Sequence, residues 1–436
     1  MKNILIIGNG ISGVTAARHI RKRSDARIII ISGESDYFFS RTALMYIYMG
    51  HMKFEHTQPY ANDFWVKNRI ELKKAWVEII DTQTNSLTLH SEEVIQYDQL
   101  ILALGSKLRK FGWPGQDLEG VSGLYSLQDL ERIEKDTKNI KHAVIVGGGL
   151  IGIELAEMLH SRDIKVTFLV REENFWDLVL PTEEAKMINQ EILAHNIDLR
   201  LSTELKEIIS DDNGRVKEIV TTTGARVQTE FVGLTVGVTP NIQIVKDAGI
   251  DCNQGILVDE YLKTSVKNVY AIGDCAELKH PVEGRKAIEQ VWYTGRMMGE
   301  TIARSICEEP TAYQPGVWFN SAKFFNIEYQ TYGTVRPSID ENECEFLWMD
   351  DSDSKLIRIV YEEESRYVLG VNTFGIRMRH EVWNHWIEAK FVIDEVIDRL
   401  ESANFDPEFF TRYEQEIKVA FKNQYLNPSI SEKPTL

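Results

Sequence analysis

Two glycine-rich turns, each set between a strand-forming run and a helix-forming run, restrict the fold more than any other feature. The first is Gly8-Asn9-Gly10-Ile11-Ser12-Gly13. Residues 4–7 before it are apolar, mostly β-branched and without alternation, which predicts a strand buried on both faces. Residues 14–20 then begin a helix. G-x-G-x-x-G between strand and helix is a dinucleotide-binding arrangement, and each glycine has its own task. Gly8 permits the tight turn. Gly10 has no Cβ, so a pyrophosphate can approach the backbone. Gly13 lets the helix lie close on the sheet. The helix start offers free N–H groups and a positive dipole end to phosphates. A second strand is expected over residues 27–31. Glu34 stands near where a ribose-binding carboxylate belongs, with Ser32 and Gly33 between it and the strand end.

The second turn, Gly147-Gly148-Gly149-Leu150-Ile151-Gly152, repeats the pattern. A strand over 143–146 precedes it, a helix through Leu159 follows, and a strand over 165–170 comes next. Such an internal repeat predicts two dinucleotide sites on one chain. Val170 occupies the strand tip where an NAD site carries an acid, and Arg171 follows. A guanidinium there suits the 2′-phosphate of NADP. Glu172 beside it would blunt that preference, and an exposed surface arginine is the alternative.

At 436 residues the chain is expected to form about two to four domains, and 43% apolar content supplies their cores. A net charge of −17 argues against nucleic acid or an anionic membrane surface as the main partner. No apolar run approaches the roughly 18 residues that span a bilayer, and the immediate first strand predicts no signal peptide. Cys252, Cys275, Cys307 and Cys344 are scattered, which predicts buried free thiols, a cytoplasmic setting and no metal site.

Between and beyond the turns the chain reads in order. Asp36-Tyr37-Phe38-Phe39-Ser40-Arg41 is either a loop over a cofactor, with Arg41 at its phosphates or ring, or a solvated arginine beside core aromatics. Residues 72–80 and 86–89 are expected strands. The run 97–105 is a buried strand ending in small residues, so that Gly105 admits a ligand. Residues 112–123 read as a linker. Residues 232–241, with Gly237 and Pro240, form a strand and turn. Asn268-Val269-Tyr270-Ala271-Ile272-Gly273-Asp274 is a strand ending at Gly273 that presents Asp274 at its carboxyl end, unless Asp274 caps a helix. A helix is expected over 289–306, with Gly295 and Gly299 relieving close packing. From about residue 312 several short strands precede helical spacing over 378–400, whose apolar side suits a core or a subunit interface.

In this order the motifs resemble the FAD-dependent pyridine nucleotide–disulfide oxidoreductase superfamily. The likeness rests on Gly8 to Gly13, Leu102-Ala103-Leu104-Gly105, Gly147 to Gly152, Gly237-Val238-Thr239-Pro240-Asn241 and Asn268 to Asp274. The narrower likeness is to ferredoxin/rubredoxin reductases and apoptosis-inducing-factor-like flavoproteins, through Thr294 to Glu300 and Trp318-Phe319-Asn320-Ser321. The resemblance implies an α/β fold with two Rossmann-like domains and a C-terminal α+β interface domain. The FAD domain would take residues 1–113 and 242–311, the NAD(P) domain 114–241, and the third domain 312–436. Gly8, Gly10 and Gly13 would hold the FAD pyrophosphate, with Glu34, Arg41, Gly105, Gly273 and Asp274 completing that site. Gly147, Gly149, Gly152, Arg171 and Gly237 would serve NAD(P)H. Glu154 matches a glutamate near the flavin; Asn320 stands where the resemblance implies a tryptophan near it, with Trp318 or Phe319 as the substitute.

Two departures shape the expected activity. Residues 36–50 contain no cysteine, so a redox disulfide or a cysteine-sulfenate route is not expected. Some relatives pair the glutamate with a lysine just after the arginine, and Thr42 to Tyr46 contain none to pair with Glu154. The implied function is an FAD-dependent NAD(P)H oxidoreductase that delivers electrons to an acceptor such as rubredoxin or ferredoxin. The alternatives are an NADH:quinone reductase and an NAD(P)H-sensing flavoprotein that regulates a partner; a homodimer is left open.

Overall fold

The computed structural model describes residues 2–352, 354–406 and 408–426. The chain divides into two compact units, Met1–Leu169 with Glu204–Pro315, and Val170–Thr203 with Gly316–Leu436.

The first unit holds two parallel sheets. One runs in the order Val269–Ala271, Gln99–Leu102, Asn3–Ile7, Arg27–Ser32, Ile70–Lys74. Its central strands are apolar on both faces because both faces are covered, and residues 4–7, 28–31 and 100–102 are buried. From the strand carrying Gly8 the order runs one way to residues 27 and 70 and the other way to residues 99 and 269. That reversal is where ligands bind in open α/β sheets. The helix Ile11–Arg21 lies against Trp292–Ile306. A Cβ on Gly295 would meet Ser12 Oγ at 2.5 Å, and one on Gly299 would meet Ser12 O at 2.6 Å, so both glycines admit a close crossing as expected. The second sheet contains the parallel neighbours Lys165–Leu169, His142–Val146, Phe231–Leu234 and Val121–Ser122.

The second unit is built on a five-stranded antiparallel sheet in the order Phe319–Phe324, Ile327–Gly333, Val368–Phe374, Leu356–Glu362, Glu343–Met349. Trp383, Trp386, Ile393, Val396, Ile397 and Leu400 pack in one core with Tyr332, Ile357, Ile359 and Val371 of that sheet. The helical spacing over 378–400 thus marks a core face. Arg358, 1% exposed, lies in the sheet among Glu184, Glu183 and Glu345. Its Nε donates to Glu184 Oε1 (2.9 Å), its Nη2 to Glu183 (2.7 Å) and its Nη1 to Glu345 (2.5 Å), while Asn372 donates to Glu184 Oε2 (2.8 Å). Residues 427–436 of the expected third domain lie outside the described residues.

Several local expectations are corrected. Residues 72–80 are two strands, Ile70–Lys74 and Val77–Asp81, in different sheets. The stretch 378–400 is broken into His380–Glu388 and Ile393–Asp398, because Lys390 adopts a positive φ of 53° after the first helix. The helix expected from residue 289 begins at Trp292. Of the four free cysteines only Cys275 is fully buried; Cys252, Cys307 and Cys344 are half-buried.

Candidate functional site

The first glycine turn lies at the carboxyl edge of the first parallel sheet. Gly8 has φ +112°, and its N–H donates to Ile31 O at 2.8 Å. A Cβ there would lie 2.1 Å from Ala103 O, so only glycine fits. A Cβ on Gly13 would lie 2.1 Å from Gly8 O, which is the close helix–strand approach expected of it. A Cβ on Gly10 would meet no protein atom within 4 Å. Gly10 therefore faces open space at the helix start, where a pyrophosphate fits against N–H groups. Buried Asn9 ties this turn to the next loop, its Nδ2 donating to Ser35 O and Oγ, both at 3.0 Å.

Glu34 lies just beyond the strand Arg27–Ser32, and its carboxylate is already organised. Arg41 donates to it through Nη1 (2.8 Å) and Nη2 (2.6 Å), and Leu127 N–H donates to Oε1 (3.0 Å). The same Arg41 Nη1 donates to Tyr125 O (2.5 Å), and the guanidinium lies 4.6 Å from the Tyr125 ring centroid. Arg41 is thus a half-buried arginine held in a bidentate, ring-stacked geometry. Burial alone would lower the Arg41 pKa, but the hydrogen bonds and charge of Glu34, with the charges of Tyr125 and Asp274, leave it raised.

Asp274 sits in a short 3-10 turn, Gly273–Cys275, after the strand Val269–Ala271. A strand, Ala276–Leu278, follows it, so the helix-cap alternative fails. Ser106 Oγ donates to Asp274 Oδ2 at 3.1 Å, and Gln290 Nε2 donates to Ser106 Oγ at 2.7 Å. Tyr125 OH reaches the same Oδ2 at 3.5 Å and accepts from Ser106 N–H at 2.8 Å. Gly105 has φ +64°, and a Cβ there would meet Tyr125 OH at 2.9 Å. Burial raises the Asp274 pKa, against the Ser106 hydroxyl and the Arg41 charge. Burial and the Asp274 charge push the Tyr125 phenol up to about 12, so it stays a donor at neutral pH.

The second glycine turn has the same build. Gly147 has φ +118° and donates to Leu169 O at 3.0 Å. A Cβ on Gly152 would lie 2.5 Å from Gly147 O, whereas one on Gly149 would meet nothing within 4 Å. Gly237, with φ +94°, is likewise open on its Cβ side. Glu154 lies in the helix Leu150–His160 that this turn starts. Burial, then the charge of Glu157, pushes its carboxyl up to about 7.

Arg171 and Glu172 belong to the second unit. Arg171 donates to Glu172 Oε1 from Nε (3.0 Å) and Nη2 (2.7 Å). The exposed arginine of the sequence is therefore partnered by the acid expected to oppose it. Trp318 precedes the strand Phe319–Phe324, and its carbonyl accepts from Gly333 N–H at 2.8 Å. Phe319 lies 4.0 Å, centroid to centroid, from His380.

The sequence reading missed Asn9, Ser106, Tyr125 and Gln290. Asn9 lies inside the first motif and Ser106 directly after Gly105, so both had a local signal. Tyr125 and Gln290 had none, since only tertiary packing brings them to Asp274.

Among the described residues, no helix is long and apolar enough to cross a membrane. The family model for pyridine nucleotide-disulphide oxidoreductases matches residues 2–299. The chain is 26% identical over 380 residues to the nitrite reductase [NAD(P)H] of Bacillus subtilis (strain 168), covering 86% of this chain and 46% of that enzyme. It thus spans about half that relative's length. It is 29% identical over 333 residues to the 5,5'-dehydrodivanillate O-demethylase ferredoxin reductase subunit of Sphingobium sp. (strain NBRC 103272 / SYK-6), covering 76% of this chain and 81% of that subunit. The fold is also that of the ferredoxin reductase for the CYP199A2 system from Rhodopseudomonas palustris, with a TM-score of 0.79 at 22% identity, covering 94% of this chain and 98% of that one. Two glycine turns, each closing a strand of its own parallel sheet, and a family match over most of the chain agree: it belongs to the pyridine nucleotide-disulphide oxidoreductases.

Proposed function

We propose that this chain is an FAD-dependent NAD(P)H oxidoreductase that delivers electrons to a small iron-containing protein of the ferredoxin or rubredoxin kind. One observation carries the reading. Each of two parallel sheets ends in a glycine turn with an open central glycine, Gly10 or Gly149, and the first edge also gathers Glu34, Arg41 and Asp274. Gly8, Gly10 and Gly13 would hold the FAD pyrophosphate, Glu34 a ribose hydroxyl, and Asp274 the ribityl or phosphate region. Asp274 Oδ2 takes the Ser106 and Tyr125 hydroxyls, which fixes the carboxylate at that edge. Gly147, Gly149, Gly152 and Gly237 would receive the nicotinamide coenzyme.

Bound flavin supplies the redox chemistry, and the protein positions and tunes it. This chain's own titratable contribution is Glu154, whose carboxyl exchanges a proton near neutrality. Among the described residues, no hydrogen bond or ion pair fixes that carboxyl. Without a cysteine over residues 36–50, electrons leave for an external acceptor. The ferredoxin reductase subunit among the relatives favours an iron protein in that role. A cytoplasmic setting is the reading that the four free cysteines favour.

The test is anaerobic titration of the yellow protein with NADH and with NADPH, followed by a screen of ferredoxins, rubredoxins and quinones. Bleaching of the visible flavin band and fast reoxidation by an iron protein are expected. Folded protein that is colourless and takes up no FAD would end the reading.

A further inference from the structure

We infer that Trp76 stacks on the adenine of the bound cofactor, an inference that rests on FAD occupying the first glycine turn. The strand Ile70–Lys74 lies beside Arg27–Ser32 in parallel register, with Ser32 opposite Lys74. Ala75 N–H donates to Ser32 O at 3.0 Å, so pairing continues one residue past the strand. Trp76 comes next. Its indole lies on the backbone of Gly33, where an added Cβ would sit 2.1 Å from Cδ2 and 2.2 Å from Cε2. Any side chain at residue 33 would collide with the ring. The absence of one at Gly33 is what lets an aromatic plane lie flat at this edge.

Order along the edge assigns the ring its ligand. The pyrophosphate belongs at Gly8 to Gly13 and the ribose at Glu34, the residue after Gly33. The adenine must then lie one step farther from the glycine turn, over the ends of the strands at residues 32 and 74. Trp76 stands there. It is 62% exposed, unusual for a tryptophan, whose large apolar surface is mostly covered in folded chains. One face is occupied by Gly33 and the remaining surface is open. The main chain that carries the ring is paired, since Trp76 O accepts from His90 N–H at 2.9 Å. Beside it, Lys74 and Asp36 form an ion pair at 3.3 Å, which leaves the ring as the apolar surface at this point of the edge. An indole seated on Gly33, with most of its surface open beside a ribose acceptor, fits a purine ring better than it fits a phosphate or a sugar.

The test uses the full chain after flavin removal, titrated with FAD, ADP and FMN. Trp76→Ala should weaken ADP and FAD by roughly 5- to 150-fold, the range that stacking of one base supports. FMN, which lacks adenine, should bind as in the unaltered protein. Trp76→Phe should recover most of the ADP affinity. ADP should quench tryptophan emission in the unaltered protein and less so in Trp76→Phe. Equal ADP and FAD affinities in Trp76→Ala and the unaltered protein would overturn the stacking role while leaving the FAD assignment intact. Equal losses for ADP and FMN would also overturn it, by reducing Trp76 to a fold-stabilising residue. Failure of the unaltered protein to bind FAD would overturn the underlying site as well.

Discussion

Gly10→Asp separates folding from cofactor binding at a single position. Gly10 is the residue before the helix Ile11–Arg21, with φ −70° and ψ −178°, a conformation open to any residue. Its added Cβ would touch no protein atom within 4 Å. Aspartate is among the best residues at a helix N-cap, so the flavin-free variant should keep its stability to within about 1 kcal/mol. Binding should respond very differently. A carboxylate would stand in the path of the pyrophosphate and repel it. Loss of even one charge-assisted hydrogen bond is worth about 1.5–3 kcal/mol, which weakens FAD at least about 10- to 150-fold. Gly13→Ala is the matched control, because its Cβ would lie 2.1 Å from Gly8 O and 3.1 Å from Ile6 Cγ2. That variant should lose about 1–3 kcal/mol by overpacking. The measurements are urea unfolding of both flavin-free variants, flavin content after purification, and FAD titration. The reasoning is refuted if Gly10→Asp keeps wild-type FAD affinity, or if it loses as much stability as Gly13→Ala. Gly149→Asp, equally open, should retain flavin and lose the nicotinamide coenzyme.

Two further outcomes follow from titratable and charged groups. The Glu154 carboxyl is raised to about 7 from 4.5, so the folded state holds its proton more tightly than the unfolded state does. Its contribution is fully present below pH 4.5 and is lost as pH rises through 7. Glu154→Gln should therefore be the more stable protein at pH 8, by about 1–3 kcal/mol, with the gap closing as pH falls toward 4.5; a gap independent of pH would refute this. Arg171→Glu should lower the ratio of NADPH to NADH turnover by about tenfold, the usual scale of one lost charged contact, and an unchanged ratio in steady-state assays would remove Arg171 from coenzyme choice.

What the sequence made legible was whatever local chemistry dictates. Both glycine turns, their flanking strands and the position of Asp274 after a buried strand could be read because steric limits at Gly8, Gly13, Gly147 and Gly152 leave their mark on consecutive residues. The role of Arg41 as the partner of Glu34 was not legible, although both residues stood out. The pairing depends on a loop folding back, and no spacing rule encodes it. Tyr125 was invisible because it lies just past the linker read over residues 112–123, while its phenol is placed by Gly105 and Ser106. The break at Ala75–Trp76 was missed because no glycine or proline marks it, even though the chain leaves one sheet there for another. The break after Glu388 was missed for a related reason: helical spacing survives the interruption, and Lys390 is neither glycine nor proline.

The environment of Arg358 bears on how such chains can be cut and recombined. A fragment starting at Gly316 would carry the guanidinium and Glu345 but leave Glu183 and Glu184 behind, and breaking a buried ion pair by removing a partner costs about 3–5 kcal/mol. The tail of this protein is therefore no free-standing cassette. A graft between relatives must carry residues 170–203 along with it, or replace the arginine and its acids together.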